Sequence, residues 1–291
     1  DFTYRIMGGD ARSKTYFVSV IQPPSASVEE VRYEYPAYMQ LPPRTDLGGT
    51  MDAWEGTQVT VRAEANMPGV AATLHYSDAE FGTVKAEEFP LEIRQGTQLT
   101  GRGQLRFRKD GSAPSYYCVQ VKTERGDKDP RPVYHPIKIR PDLKPKLTLH
   151  HPQGNLQLPA NAIVPLAWRA RDPDFLLHSV TLLYRGPNEQ HPRPLPLYEA
   201  PPYQSAAEAT TRLPLSTLGL ALQPGDRIVY WLEARDNFEP YLGRDPNVTR
   251  TQPQEIEIIA PVPPAAAEQR FEQEQQQARR QLDETRADEV P

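Results

Sequence analysis

Tyr4-Arg-Ile6-Met-Gly8-Gly-Asp10, Tyr117-Cys-Val119-Gln-Val121-Lys-Thr123 and Tyr230-Trp-Leu232-Glu-Ala234-Arg-Asp236 are three versions of one stretch. Each sets a tyrosine and then apolar or small residues at alternate positions, the period of a half-buried strand. The tyrosines stand 113 residues apart in both intervals. Each stretch is followed by a polar turn and a second apolar-alternating run, Tyr16 to Ile21, Tyr134 to Ile139 and Glu255 to Ile259. Pro23, Pro141 and Pro261 then end the three units. A repeat of that length is one whole β-sandwich rather than a short solenoid unit. The pattern predicts an all-β chain of tandem Ig-like antiparallel sandwiches.

Working outward, the repeat divides the chain into four parts. Residues 1–22 read as the terminal β-hairpin of a truncated preceding Ig-like domain, with Gly8-Gly9-Asp10 as its turn. Residues 25–140 and 146–260 read as two complete sandwiches, joined by the stiff linker Pro141-Asp142-Leu143-Lys144-Pro145. Residues 265–289 lack Gly and Pro and are rich in Ala, Gln, Glu and Arg, which predicts a C-terminal α-helix. With a first strand starting at its opening residues, the chain reads as a segment of a longer protein.

Composition agrees with this fold class. Proline accounts for 32 of 291 residues, about twice the usual share of roughly 5%. Proline donates nothing to a ladder and breaks helix interiors, so this composition favours short strands and many turns. The net charge of −5, with Lys and Arg spread along the chain, argues against a nucleic-acid footprint. A single cysteine, Cys118, excludes an intrachain disulfide or multi-cysteine zinc site.

In the first sandwich, strands are expected at Val28–Tyr35, Gln58–Ala65, Ala71–Tyr76, Phe89–Arg94, Gln98–Arg108, Tyr116–Lys122 and Val133–Ile139. Val59, Val61, Ala63 and Ala65 point inward, and Val164, Leu166, Trp168 and Ala170 are their counterparts in the second. Alternation puts Cys118 on the outer face with Gln120 and Lys122, and leaves Gly101 and Gly103 as an irregularity in their strand. Trp54 is expected to precede the turn Glu55-Gly56-Thr57 and to pack on the domain edge. Trp231 falls on the face opposite Tyr230, Leu232 and Ala234. An outward tryptophan there is either covered by a loop or available to stack on a sugar or a protein.

Catalytic signatures are missing: there is no Gly-x-Ser-x-Gly elbow, no Ser-x-x-Lys and no His-Glu-x-x-His. The sharpest constellation is acidic. Asp172-Pro173-Asp174 follows the Trp168 strand and Asp236-Asn237 follows the Tyr230 strand. In an Ig-like sandwich these two turns emerge at the same end. Oxygen ligands of that kind suit Ca²⁺, while Asp and Asn also favour turns by bonding nearby backbone. Both readings stay open for Asp172, Asp174, Asp236 and Asn237. The first sandwich offers only Asn66 at the matching turn, opposite Glu124, Asp127 and Asp129. On the helix, Phe271, Ala278 and Leu282 form a thin apolar seam interrupted by Gln275, read as a solvated helix or a partner-binding coiled coil.

The stretches YRIMGGDARSKTYFVSVIQPP (Tyr4–Pro24), YEYPAYMQLPPRT (Tyr33–Thr45) and GTQVTVRAEANMP (Gly56–Pro68) resemble a family of large membrane-anchored bacterial proteins of unassigned function. In that family extracytoplasmic Ig-like domains lie between spanning helices and a long Gln/Glu-rich helical region. WRARDPDFLLHSVTLLYR (Trp168–Arg185) with GDRIVYWLEARDN (Gly225–Asn237) resembles bacterial Ig-like and cadherin-like modules. The resemblance implies a non-catalytic segment outside the cytoplasm, in the periplasm or cell envelope, anchored through segments absent from this chain, with a protein or cell-envelope partner. A ligand-binding adhesion module for a cell-surface glycan or a Ca²⁺-dependent contact is the alternative it leaves.

Overall fold

The computed structural model describes residues 1–80, 87–238 and 245–288, which form two compact units, Asp1–Pro141 and Asp142–Pro291.

The first unit opens with a two-stranded ribbon. Strand β1 (Phe2–Tyr4) pairs antiparallel with β4 (Tyr16–Val18), placing Tyr4 opposite Tyr16 with their rings stacked 5.1 Å apart. The short strands β2 (Met7–Gly8) and β3 (Ala11–Arg12) extend it to a tight turn, where Gly9 takes a φ of +57° that a side chain would resist. The sandwich follows: β5 (Ala26–Glu34), β6 (Arg44–Leu47), β7 (Met51–Trp54), β8 (Gln58–Ala65), β9 (Ala71–Ser77), β10 (Glu87–Arg94), β11 (Gln98–Gln104), β12 (Tyr116–Lys122) and β13 (His135–Arg140). One hydrogen-bonded ladder, in the order β6-β5-β8-β11-β10-β9-β12-β13-β7, wraps both sides of the core. Leu91 on β10 makes the corner, pairing with Ala72 of β9 and with Gly101 of β11.

Inward alternation holds on β8 and β12, burying Val59, Val61, Ala63 and Ala65 against Tyr117, Val119 and Val121. Three expectations need correction. Strands β6 and β7 lie where none was expected; Trp54 closes β7 immediately before the turn at Glu55-Gly56, under the Arg140 guanidinium. Cys118 does face outward, yet it is buried, because Tyr134 hydrogen-bonds over it. Gly101 and Gly103 sit in a regular ladder, and their missing side chains make room for Leu91 and for the Tyr76 hydroxyl, which any Cβ would strike.

The second unit is a two-sheet sandwich. Its strands are β14 (Lys146–His151), β15 (Leu156–Pro159), β16 (Ile163–Arg171), β17 (Leu177–Arg185), β18 (Arg193–Gln204), β19 (Ala206–Pro214), β20 (Arg227–Asp236), β21 (Val248–Arg250) and β22 (Gln254–Ile259). One sheet runs β14-β16-β19; the other runs β15-β22-β20-β17-β18, with β21 also on β20. Trp168, Leu166 and Val164 from the first sheet meet Leu182, Ile228, Leu232 and Ile258 from the second. Among the described residues all pairings of both sandwiches are antiparallel except two: β7 beside β13, and β15 beside β22.

The chain then forms helix α1 (Pro264–Asp288). Neither a solvated helix nor a coiled-coil seam describes it. Ala267, Phe271, Ala278 and Leu282 are buried, and the helix packs on β14, β16 and β19 of its own unit. Arg212 of β19 stacks on the Phe271 ring at 4.5 Å and pairs with Glu268 at 2.7 Å, while Gln281 reaches His151. The thin stripe suffices because the sheet supplies the other half of the contact, with Ala167 fully buried beneath it. Truncating Phe271 to Ala is expected to cost about 3 kcal/mol and to undock α1. Melting of the second unit alone should fall, and proteolytic cutting within residues 264–284 should accelerate.

Candidate acidic tip of the second sandwich

Strands β16 and β17 are joined by Asp172-Pro173-Asp174 and strand β20 ends at Asp236, whose backbone lies opposite Leu177. Strand order therefore delivers all three carboxylates to one end of the sandwich. Asp172 Oδ1 accepts hydrogen bonds from the Asp174 N–H (3.1 Å) and the Phe175 N–H (2.7 Å), fixing a tight turn. Asp236 Oδ1 accepts from the Phe238 N–H (3.2 Å) and the Asn247 N–H (3.0 Å), holding these two backbone positions at one carboxylate. Asn237 donates its backbone N–H to the Leu176 carbonyl at 2.9 Å.

The third carboxylate reaches the chain that leads into the unit. Asp174 Oδ2 accepts from the Leu143 N–H at 3.1 Å, and Asn247 Nδ2 donates to the Asp142 carbonyl at 3.5 Å. The tip is thus a clasp for the lead-in segment. The first sandwich has the same clasp in neutral form: Asn66 Oδ1 accepts from the Ser25 N–H (2.8 Å) and its Nδ2 donates to the Pro23 carbonyl (3.0 Å). Glu124 and Asp127 stand exposed in their turn.

Using carboxylates in this role has an electrostatic consequence. Asp172 and Asp236 are 98% buried by surface area, and removing a carboxylate from water disfavours its charged form. Burial pushes the Asp172 carboxyl up to about 7; the Phe175 N–H opposes this and the neighbouring Asp174 adds to it. Burial also raises Asp236, against the Asn247 and Phe238 hydrogen bonds and with the Asp174 charge adding to the rise. Asp172 Oδ2, Asp174 Oδ1 and Asp236 Oδ2 are buried without a hydrogen-bond partner among the described residues. No group of three or more His, Cys, Asp or Glu among the described residues is arranged to hold a metal ion.

Trp231 lies half-buried on the outer face of β20, opposite Leu183 on β17. Two residues along that face, Glu233 is buried between Arg235 (2.8 Å) and Arg250 (2.7 Å). Burial alone would raise its pKa, but these hydrogen bonds and charges hold it below the usual carboxylate range. The sequence analysis did not single out this Arg-Glu-Arg group, because Arg250 comes from a separate strand.

No protein-family model matches the chain, and no curated protein matches it. Among solved structures, two titin fragments show a likeness, with TM-scores of 0.24 and 0.26 at 9% and 8% identity, covering 72% and 87% of this chain and 94% and 71% of theirs. Dimeric latent PorU from Porphyromonas gingivalis is similar at a TM-score of 0.27 and 10% identity, over 83% of this chain and 24% of PorU. Likeness at this level is weak, and the Ig-like assignment rests on the strand order itself.

The Asp172 environment makes the second unit sensitive to pH. A carboxyl whose folded pKa is raised stabilises the fold fully below its unfolded pKa of about 3.9, and that contribution is lost as pH rises through about 7. Asp172→Asn keeps the acceptor for Phe175 and removes the titration. The variant is expected to melt above the unsubstituted chain at pH 8 and to show a flatter dependence between pH 4 and 8. Calorimetry across that range would expose an unchanged slope.

Proposed function

We propose that this chain is a non-catalytic, extracytoplasmic spacer in a larger membrane-anchored bacterial protein. It carries tension and presents its surface to a protein or cell-envelope partner. The observation that supports this best is the parallel pairing of an early and a late strand in each sandwich. Met51–Trp54 runs beside Ile137–Arg140, and Leu156–Pro159 beside Ile256–Ile259. Pulling the two ends of such a unit apart drives parallel neighbours in opposite directions, so their hydrogen bonds are loaded together in shear. Antiparallel end strands would instead peel open one bond at a time.

Catalysis has no place in this reading, because the tip carboxylates act as acceptors for backbone N–H groups. No helix among the described residues is long and apolar enough to cross a membrane; in this reading the anchor is carried by other segments of the larger protein. Single-molecule pulling tests the idea. Gln157→Pro takes an N–H and a side-chain bond to Glu257 (3.0 Å) from the β15–β22 pair. It should lower the unfolding force of the second unit far more than its chemical stability; equal forces would count against a mechanical role.

A second reading, a Ca²⁺-dependent contact at the tip, draws on the three buried carboxylate oxygens that lack a partner. A cation would have to draw Asp172, Asp174 and Asp236 closer together, with Asn237 beside them. Millimolar Ca²⁺ should then raise the melting temperature of the second unit and not that of Asp174→Ala. An unchanged midpoint removes this reading.

A further inference from the structure

The outer face of one sheet is covered in the second unit and bare in the first. Strand β16 matches β8, with Val164, Leu166 and Trp168 in the places of Val59, Val61 and Ala63. Each is flanked by an antiparallel strand, β19 on β16 and β11 on β8. On the outward side of β16, Pro165 and Ala167 are buried where α1 packs. Their counterparts on β8 are Thr60, half-buried, and Arg62, exposed. In place of a helix the first unit has a trough of about 1110 Å³ over β5, β8, β11 and β10. Two turns of a helix about 11 Å across fill about 1000 Å³.

The strand register also repeats the residue that holds α1. Arg212 stands opposite Pro165 and Arg102 stands opposite Thr60, so the two arginines occupy the same place in their sheets. Arg212 pairs with Glu268 at 2.7 Å and stacks on the ring of Phe271, three residues further along the helix. Arg102 is exposed in the trough, and its side chain has no ion pair among the described residues. The neighbouring arginines are already engaged, Arg32 with Glu34 at 3.3 Å and Arg62 with Glu30 at 2.6 Å. A carboxylate set over the row that joins Thr60 to Arg102 would meet an unpaired guanidinium and a hydroxyl in one place.

We infer that the trough of the first unit seats an acidic amphipathic helix of a protein partner, gripped as α1 is gripped. A glutamate of that helix pairs with Arg102, and an aromatic ring three residues on lies under the guanidinium. This rests on the reading of the chain as one that meets a protein partner, and it specifies the partner's chemistry. The trough departs from the α1 seat where Arg62 replaces Ala167. The occupant therefore rides on charged side chains instead of small apolar ones, and its binding weakens as salt rises.

A fluorescent peptide with the sequence of residues 264–284 carries the required Glu and Phe pair. Titrated against the full chain and followed by anisotropy, it should bind. Binding should weaken about tenfold or more when the chain carries Arg102→Ala, and likewise when the peptide carries Glu268→Gln with Phe271→Ala. Arg102→Ala should leave the melting of the first unit unchanged, so the loss reports the contact and not the fold. Absence of peptide binding would overturn the inference. So would binding that survives Arg102→Ala, which would be exchange with α1 on the second unit. Polygalacturonate is titrated alongside: if it binds through Arg102 and the peptide does not bind, the trough takes an acidic glycan and the helix is excluded. None of these outcomes alters the unfolding force of the second unit, so the spacer reading stands or falls separately.

Discussion

A two-stranded ribbon with one apolar face gains almost nothing by itself, because its hydrogen bonds merely replace those made with water. It becomes stable when the face is covered, and covering it builds the rest of each sandwich. Burying Tyr117, Val119 and Ile137 requires an opposing sheet, which the inward residues of β8, β5 and β11 provide. Burying Tyr230, Leu232 and Ile256 requires Leu166 and Trp168 across the gap. The outer face of the β14-β16-β19 sheet is covered in turn by α1, so the helix is a third layer of the second unit.

The same economy explains the tip. Loops at the end of a sandwich have backbone N–H groups that no ladder satisfies, and side chains must take them up. Asn66 does this in the first unit without charge. The second unit uses three carboxylates, each fixing a different backbone segment. That arrangement fixes the turn, the Phe238 and Asn247 backbone and the lead-in segment together, and it crowds negative charge into a buried place. Acid sensitivity runs opposite to that of an ordinary salt-bridged carboxylate, since a proton relieves the crowding.

Much of this was legible in the sequence, for a physical reason. A strand buried on one face writes a period of two, so Val59 to Ala65, Tyr117 to Val121 and Val164 to Ala170 announced themselves. Knowing the strand order then placed Asp172, Asp174 and Asp236 at one end. Strands β6 and β7 were not legible: each has four residues, and Pro42-Pro43 and Gly48-Gly49 interrupt the period around them. The burial of Cys118 depends on Tyr134 crossing from outside its own strand. The seam of α1 was visible, but its partner was not, because Ala167 looks like any small outward residue until a helix lies on it. The clasp depends on Leu143, which carries no signature of its own, and on Asn247, whose reach to the Asp142 carbonyl nothing in its own stretch announces.

Residue-resolved hydrogen exchange on residues 1–291 tests the central claim, that covering the ribbon face is what stabilises each unit. Amides of β12 and β20 should exchange only through unfolding of their whole units, while those of β1 and β4, with the same pattern but no cover, should exchange orders of magnitude faster. Comparable protection in all three ribbons would contradict the account.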